Sequence, residues 1–139
     1  MEKDNNYFMK KAINEAKKAY KKNEIPVGVV IVKDGNIIAK AHNERDSKKI
    51  VTKHAEIIAI ERANKKINNW RLLDTILYTT LEPCKMCSEV IKEAKINKVI
   101  YCAKNINYDT EFERINNPLL IEICENLIRN KFEEIRKNK

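Results

Sequence analysis

Between Tyr7 and Lys22, the residues Phe8, Ala12, Ile13, Ala16, Ala19 and Tyr20 recur at helical spacing with lysines between them. This pattern predicts an amphipathic helix with a solvated polar face. Asn23-Glu24 ends it, and Pro26 prevents its continuation because proline has no amide hydrogen to give a helix interior. Val27 to Val32 is a β-branched run and predicts a buried strand. Asp34-Gly35 then reads as a two-residue hairpin turn, since glycine accepts positive φ without steric cost. Asn36 to Ala41 returns as a second, antiparallel strand. His42 and Asn43 close it, His42 as a strand-end surface residue and Asn43 as a loop cap.

Glu44 to Lys53 is a charged loop. Thr52 is placed to cap a helix from His54 to Asn64, whose buried stripe is Ile57, Ile58, Ala59, Ile60 and Ala63. Thr75 to Leu81 predicts a third strand. Pro83 opens the next helix, where a missing N–H costs nothing, and Val90, Ile91 and Ala94 face the core. Lys98 to Ala103 predicts a fourth strand, with Cys102 as a small buried residue. From Pro118 to Lys137, the residues Leu120, Ile123, Cys124, Leu127, Ile128, Phe132 and Ile135 keep helical spacing. The succession gives an α/β fold: a three-layer α/β/α sandwich with a mixed sheet of four strands and a fifth left open, helices covering both faces. Residues 1–139 read as a single domain, the expected number for this length.

Composition adds three constraints. The formal net charge is +8, which suits a nucleic-acid partner through phosphate neutralisation, although abundant lysine also simply solvates a surface. No apolar run approaches a membrane span, and Met1 to Asn6 is polar, without the apolar core of a signal peptide. A cytoplasmic protein is expected. The four cysteines then sit in a reducing compartment, where metal ligation is favoured over disulfides.

The chemistry lies in two short stretches, His54-Ala55-Glu56 and Pro83-Cys84-Lys85-Met86-Cys87. One His and two Cys can hold a zinc ion and leave its fourth position open, the layout of a catalytic rather than a structural site. Such a zinc lowers the pKa of a water towards neutrality. Glu56, two residues after the His, is placed to shuttle protons. Cys84 and Cys87 fall one turn apart on one helix face, and helix N-termini favour thiolates. A redox Cys-x-x-Cys needs no His-x-Glu upstream. A zinc ribbon needs a second close cysteine pair, which Cys102 and Cys124 do not form.

His-x-Glu followed by Pro-Cys-x-x-Cys is the pattern of zinc-dependent nucleobase deaminases. Within the cytidine deaminase superfamily, the chain resembles the bacterial tRNA-specific adenosine deaminases from about Tyr7 to Lys104. The match rests on Ile25-Pro26-Val27-Gly28, His42-Asn43, His54-Ala55-Glu56, Trp70-Arg71-Leu72 and Leu77 to Cys87, and extends to a Leu-x-Glu-x-Cys-x-x-Leu-Ile pattern at Leu120 to Ile128. The resemblance implies one zinc per chain on His54, Cys84 and Cys87. It implies Glu56 as general acid/base, and substrate contacts at Asn43, Ala55 and Pro83. It also implies a homodimer that converts wobble adenosine in tRNA to inosine. Arg129, Lys131, Arg136, Lys137 and Lys139 in the basic tail are candidate RNA contacts. Two rivals stand beside this reading: a deaminase of free cytosine, cytidine or guanine, and a non-catalytic zinc or RNA-binding protein.

The chain departs from the family in three places. Ile50-Val51-Thr52-Lys53 replaces an Asp-Pro-Thr-Ala element, Ser88-Glu89-Val90 replaces small residues, and a long segment after the fourth strand is missing. A parallel crossover takes a dozen or more residues, more than Asn105 to Asn117 supplies together with a strand. Three outcomes stay open: an antiparallel strand near Phe112, no fifth strand, or a strand at Leu119 to Ile123 after a short helix. The helical spacing of Tyr108, Phe112 and Ile115 favours the last two.

Overall fold

A computed structural model describes residues 4–137. Helix α1 (Asn5–Lys21) is followed by the hairpin β1 (Gly28–Lys33) and β2 (Asn36–His42). A single helical turn, α2 (Arg45–Lys48), precedes α3 (Ala55–Ile67). Then come β3 (Thr75–Leu81), α4 (Lys85–Glu93), β4 (Lys98–Ala103), β5 (Glu113–Arg114) and α5 (Pro118–Lys137). The sheet order is β2-β1-β3-β4-β5. β1 is antiparallel to β2 and β3, whereas β3, β4 and β5 run parallel.

Alternation along the strands builds two cores. Val29, Ile31, Leu77 and Val99 point to one face and pack with Ile58, Ala59 and Ala63 of α3 and Ile91 of α4. Val30, Val32, Tyr78, Ile100 and Cys102 point to the other and meet Phe8, Met9, Ala12 and Ile13 of α1 and Leu120 and Cys124 of α5. The expected sandwich is therefore present, with helices on both faces. At Gly28 the contact between α1 and β1 is closest: a Cβ there would lie 2.0 Å from the Ala12 carbonyl oxygen and 2.4 Å from the Ala16 nitrogen. Only glycine lets this helix lie so near the strand. The Asp34-Gly35 turn has positive φ at both residues, 52° and 76°, the backbone of a two-residue hairpin whose twist matches its strands.

Several expectations are corrected. His42 is buried rather than at the surface, with Nδ1 3.2 Å from Glu15 Oε1. The 44–53 loop contains α2, whose Asp46 and Ser47 amides donate to the buried Glu24 carboxylate at 3.1 and 2.6 Å. A buried acceptor contributed from elsewhere in the chain gives no local periodicity to read. His54, not Thr52, is the N-cap of α3, and Cys84 is the N-cap of α4, so Pro83 stands outside that helix.

The fifth strand matches none of the three anticipated outcomes. It is two residues long, and parallel to β4 at Ile100 and Tyr101. A helical crossover needs many residues, but the 104–112 segment returns as an irregular loop without a helix. Because β5 pairs only with the middle of β4, the loop has little distance to cover. Phe112 packs with the α3/α4 core and Ile115 with the α1/α5 core. Their spacing of three therefore places them on opposite faces of a strand rather than on one face of a helix.

Candidate metal centre and substrate cleft

α3 and α4 lie on the same face of the sheet and begin close together, so the cap residue of each helix meets the other. His54 Nδ1 is 3.8 Å from Cys84 Sγ and 3.5 Å from Cys87 Sγ. The three donor atoms all lie within 4.8 Å of one another, and no other such group of His, Cys, Asp or Glu occurs among the described residues. Zn–N and Zn–S bonds of ordinary length at tetrahedral angles separate N from S by about 3.6 Å. The donor set and its spacing thus fit a zinc ion with three protein ligands. The Cys84 thiol is pulled down to about 4, first by its hydrogen bond with Cys87 and, against burial, by His54. The same hydrogen bond, with burial, pushes the Cys87 thiol up.

Glu56, in the first turn of α3, is 4 % exposed and lines the same cleft. Burial pushes its carboxyl up to about 7, reinforced by the Cys84 charge and opposed by the Glu56 backbone amide and by His54. A carboxyl poised there can both take and give a proton near neutral pH. The first-turn amides of both helices serve the centre's own side chains: the Glu56 amide faces the Glu56 carboxyl and the Cys87 amide faces the Cys84 sulfur.

The cleft has a volume of about 120 Å³. Asn43 and Ala55 line it as anticipated. Asn43 is held by its side-chain amide donating to the Ile25 carbonyl at 3.4 Å, while its side-chain oxygen accepts from the Arg45 amide at 3.2 Å. Pro83 is buried and is not among the lining residues. Sequence reasoning missed Arg45, Glu82 and Asn105, which also line the cleft. The signal for the last two was position, because both follow the carboxyl ends of parallel strands, where open α/β sheets bind ligands. The cleft adjoins a groove of about 500 Å³ that shares Ile25, Leu81 and Asn105 with it and is bordered by Ile106 and, from α5, Ile128, Arg129 and Phe132.

The anticipated RNA contacts divide. Arg129, Arg136 and Lys137 are exposed. Lys131 is 2 % exposed. Its ammonium lies over the Tyr20 ring and donates to Glu134 at 3.0 Å and Asn23 at 3.4 Å. It ties α5 to α1 and is not a free cation, because its long stem reaches back across the helix pair. Lys139 lies outside the described residues.

The profile of the cytidine and deoxycytidylate deaminase zinc-binding region matches residues 2–103. The chain belongs to this family of zinc-dependent deaminases. It is 43 % identical to a tRNA-specific adenosine deaminase of Streptococcus pyogenes serotype M18 over 96 % of this chain and 92 % of that one. A structure solved in studies of A-to-I editing by tRNA:A34 deaminases is 39 % identical, with a TM-score of 0.72, over 73 % of this chain and 78 % of that chain. The X-ray structure of a guanine deaminase from Bacillus subtilis is also 39 % identical, with a TM-score of 0.70, over 73 % and 66 %. The chain is accordingly a hydrolytic deaminase with a zinc-binding centre.

Proposed function

We propose that this deaminase acts on adenosine at the wobble position of tRNA, converting it to inosine. The observation that carries the reading is the junction of cleft and groove. The cleft has room for a base, and the adjoining groove, walled by Arg129, Phe132 and Ile106, has room for the strand around it. The likeness to tRNA-specific adenosine deaminases over nearly the whole chain supports the same choice.

A zinc ion held by His54, Cys84 and Cys87 supplies Lewis-acid activation of water. Glu56, next to that centre, takes a proton from the attacking water. It delivers that proton to the ring nitrogen, then takes the second from the newly added hydroxyl and passes it to the departing ammonia, so both water protons are accounted for and the oxygen becomes the product carbonyl. Burial, which raises its carboxyl above the ordinary range, suits one group to both taking and giving protons. Asn43, fixed from both ends, presents its amide to the edge of the base. The helix starts at Ala55 and Lys85 favour the oxygen that becomes the product carbonyl. The enzyme works in the cytosol as one domain. We further infer a homodimer, for which the exposed apolar side chains Val51, Trp70 and Leu73, at 71, 54 and 50 %, offer candidate contacts.

A free-base deaminase is the second reading, favoured by the likeness to guanine deaminase and by the short 104–112 wall. Incubation with an anticodon stem-loop bearing the wobble adenosine, and separately with guanine, cytosine and cytidine, tests both. Inosine in the stem-loop is expected. Efficient turnover of guanine with none of the stem-loop overturns the tRNA assignment.

A further inference from the structure

Glu82 sits between the end of β3 and the metal-binding turn, and its side chain is fully buried. Every hydrogen bond its carboxylate accepts comes from the 104–110 loop. Oε1 accepts from Lys104 Nζ at 2.8 Å and from the Asn105 amide at 3.2 Å. Oε2 accepts from the Thr110 amide at 2.9 Å and from the Thr110 hydroxyl at 2.5 Å. The Glu82 carbonyl also accepts from the Asn105 side chain at 3.5 Å. One carboxylate therefore grips the loop at its start and near its end. Between these points the loop has no regular structure, and Ile106 is 95 % exposed. Asn105, one of the gripped residues, lines both the cleft and the groove.

We propose that Glu82 is a positioning residue that clips the 104–110 loop closed, and so sets Asn105 as the wall between the base cleft and the adjoining groove. Charge-assisted hydrogen bonds are the strong ones, and here four converge on one carboxylate that is itself buried, although the Lys104 side chain is 39 % exposed. Without the carboxylate the loop samples open arrangements in which the wall is missing. Substrate then binds only the closed fraction, so apparent affinity falls by that fraction while the chemical step is preserved. The substrate-side consequence rests on the deaminase reading above; the clip itself does not.

The test compares Glu82→Gln with the loop-side variant Lys104→Met/Thr110→Val, which leaves β3 and the metal turn intact. Backbone hydrogen exchange should accelerate at 104–112 in both, with α3 and β3 unchanged. On the stem-loop substrate, KM should rise roughly tenfold if about a tenth of molecules keep the loop closed, with kcat and zinc content near parent values. Combining the two changes should add little, because they break the same contacts. Unaltered exchange at 104–112 overturns the proposal. So does a fall in zinc and kcat with KM constant, the mark of a structural role alone. If the parent protein leaves the stem-loop untouched, the substrate reading fails and the exchange measurement decides the clip by itself.

Discussion

His54 Nδ1 lies 3.5 Å from Cys87 Sγ, although 33 residues separate them in sequence. The two are brought together because α3 and α4 start side by side on one face of the sheet, each with a metal ligand at its cap. Zinc binding should therefore need the folded pair of helix starts, and each ligand should be indispensable. About one zinc per chain is expected. Cys84→Ser and Cys87→Ser should each lose most of it by elemental analysis. Zinc content equal to the parent in either variant sinks the assignment.

Glu56 does not belong to the donor group, so its removal separates chemistry from metal binding. Glu56→Gln should retain zinc and lose activity by about 100-fold to 10,000-fold, the usual cost of a general acid/base. Turnover at the parent rate would reduce Glu56 to a charge at the start of α3.

Glu15 gives the fold an acid-sensitive contact away from the metal. Burial pushes its carboxyl up, but hydrogen bonds from Lys18 at 2.7 Å and His42 at 3.2 Å outweigh this and hold it below its ordinary 4.5. A depressed carboxyl stabilises the folded state above its unfolded value, and this contribution is lost as pH falls through the folded value. Glu15→Gln should cost about 1–3 kcal/mol at neutral pH and flatten the acid side of the stability curve, measured as denaturant midpoint against pH. Parallel curves for parent and variant would show that the pair contributes nothing.

Gly28→Ala tests the approach of α1 to β1. The added carbon would meet backbone atoms at 2.0 and 2.4 Å, which cannot rotate aside. Overpacking of this kind costs about 1–3 kcal/mol or more. A thermal midpoint equal to that of the parent would mean that the helix shifts at no cost.

The metal centre was legible in the sequence because His54, Glu56, Cys84 and Cys87 sit in two compact motifs whose chemistry is fixed by residue type. The four long strands were legible because β-branched runs and alternation mark them. The two-residue β5 was not, since so short a strand leaves no period. Nor was the burial of Lys131 or His42, or the loop grip of Glu82. Each depends on partners far along the chain, Tyr20 and Asn23, Glu15, and Lys104 to Thr110 respectively. Residue type alone says charged and exposed at such positions, and tertiary contact reverses it.

That reversal sharpens the expectation for RNA. Phosphate contacts release counterions, so affinity for a stem-loop should fall steeply with salt. Arg129 borders the groove, and Arg136 and Lys137 are exposed further along α5. All three present exposed cationic groups, Arg129 with one guanidinium nitrogen donating to Asn126 at 2.7 Å, whereas the buried Lys131 ammonium is engaged by Glu134, Asn23 and the Tyr20 ring. Arg136→Ala/Lys137→Ala should lower the salt slope by about one unit per lost phosphate contact, leaving zinc content and thermal stability unchanged. Lys131→Met should do the opposite: it breaks the α1–α5 tie and lowers the thermal midpoint, while the salt slope stays at the parent value. A slope that responds to Lys131 and ignores Arg136 and Lys137 would place the RNA on the α1 side of the molecule, away from the α5 groove.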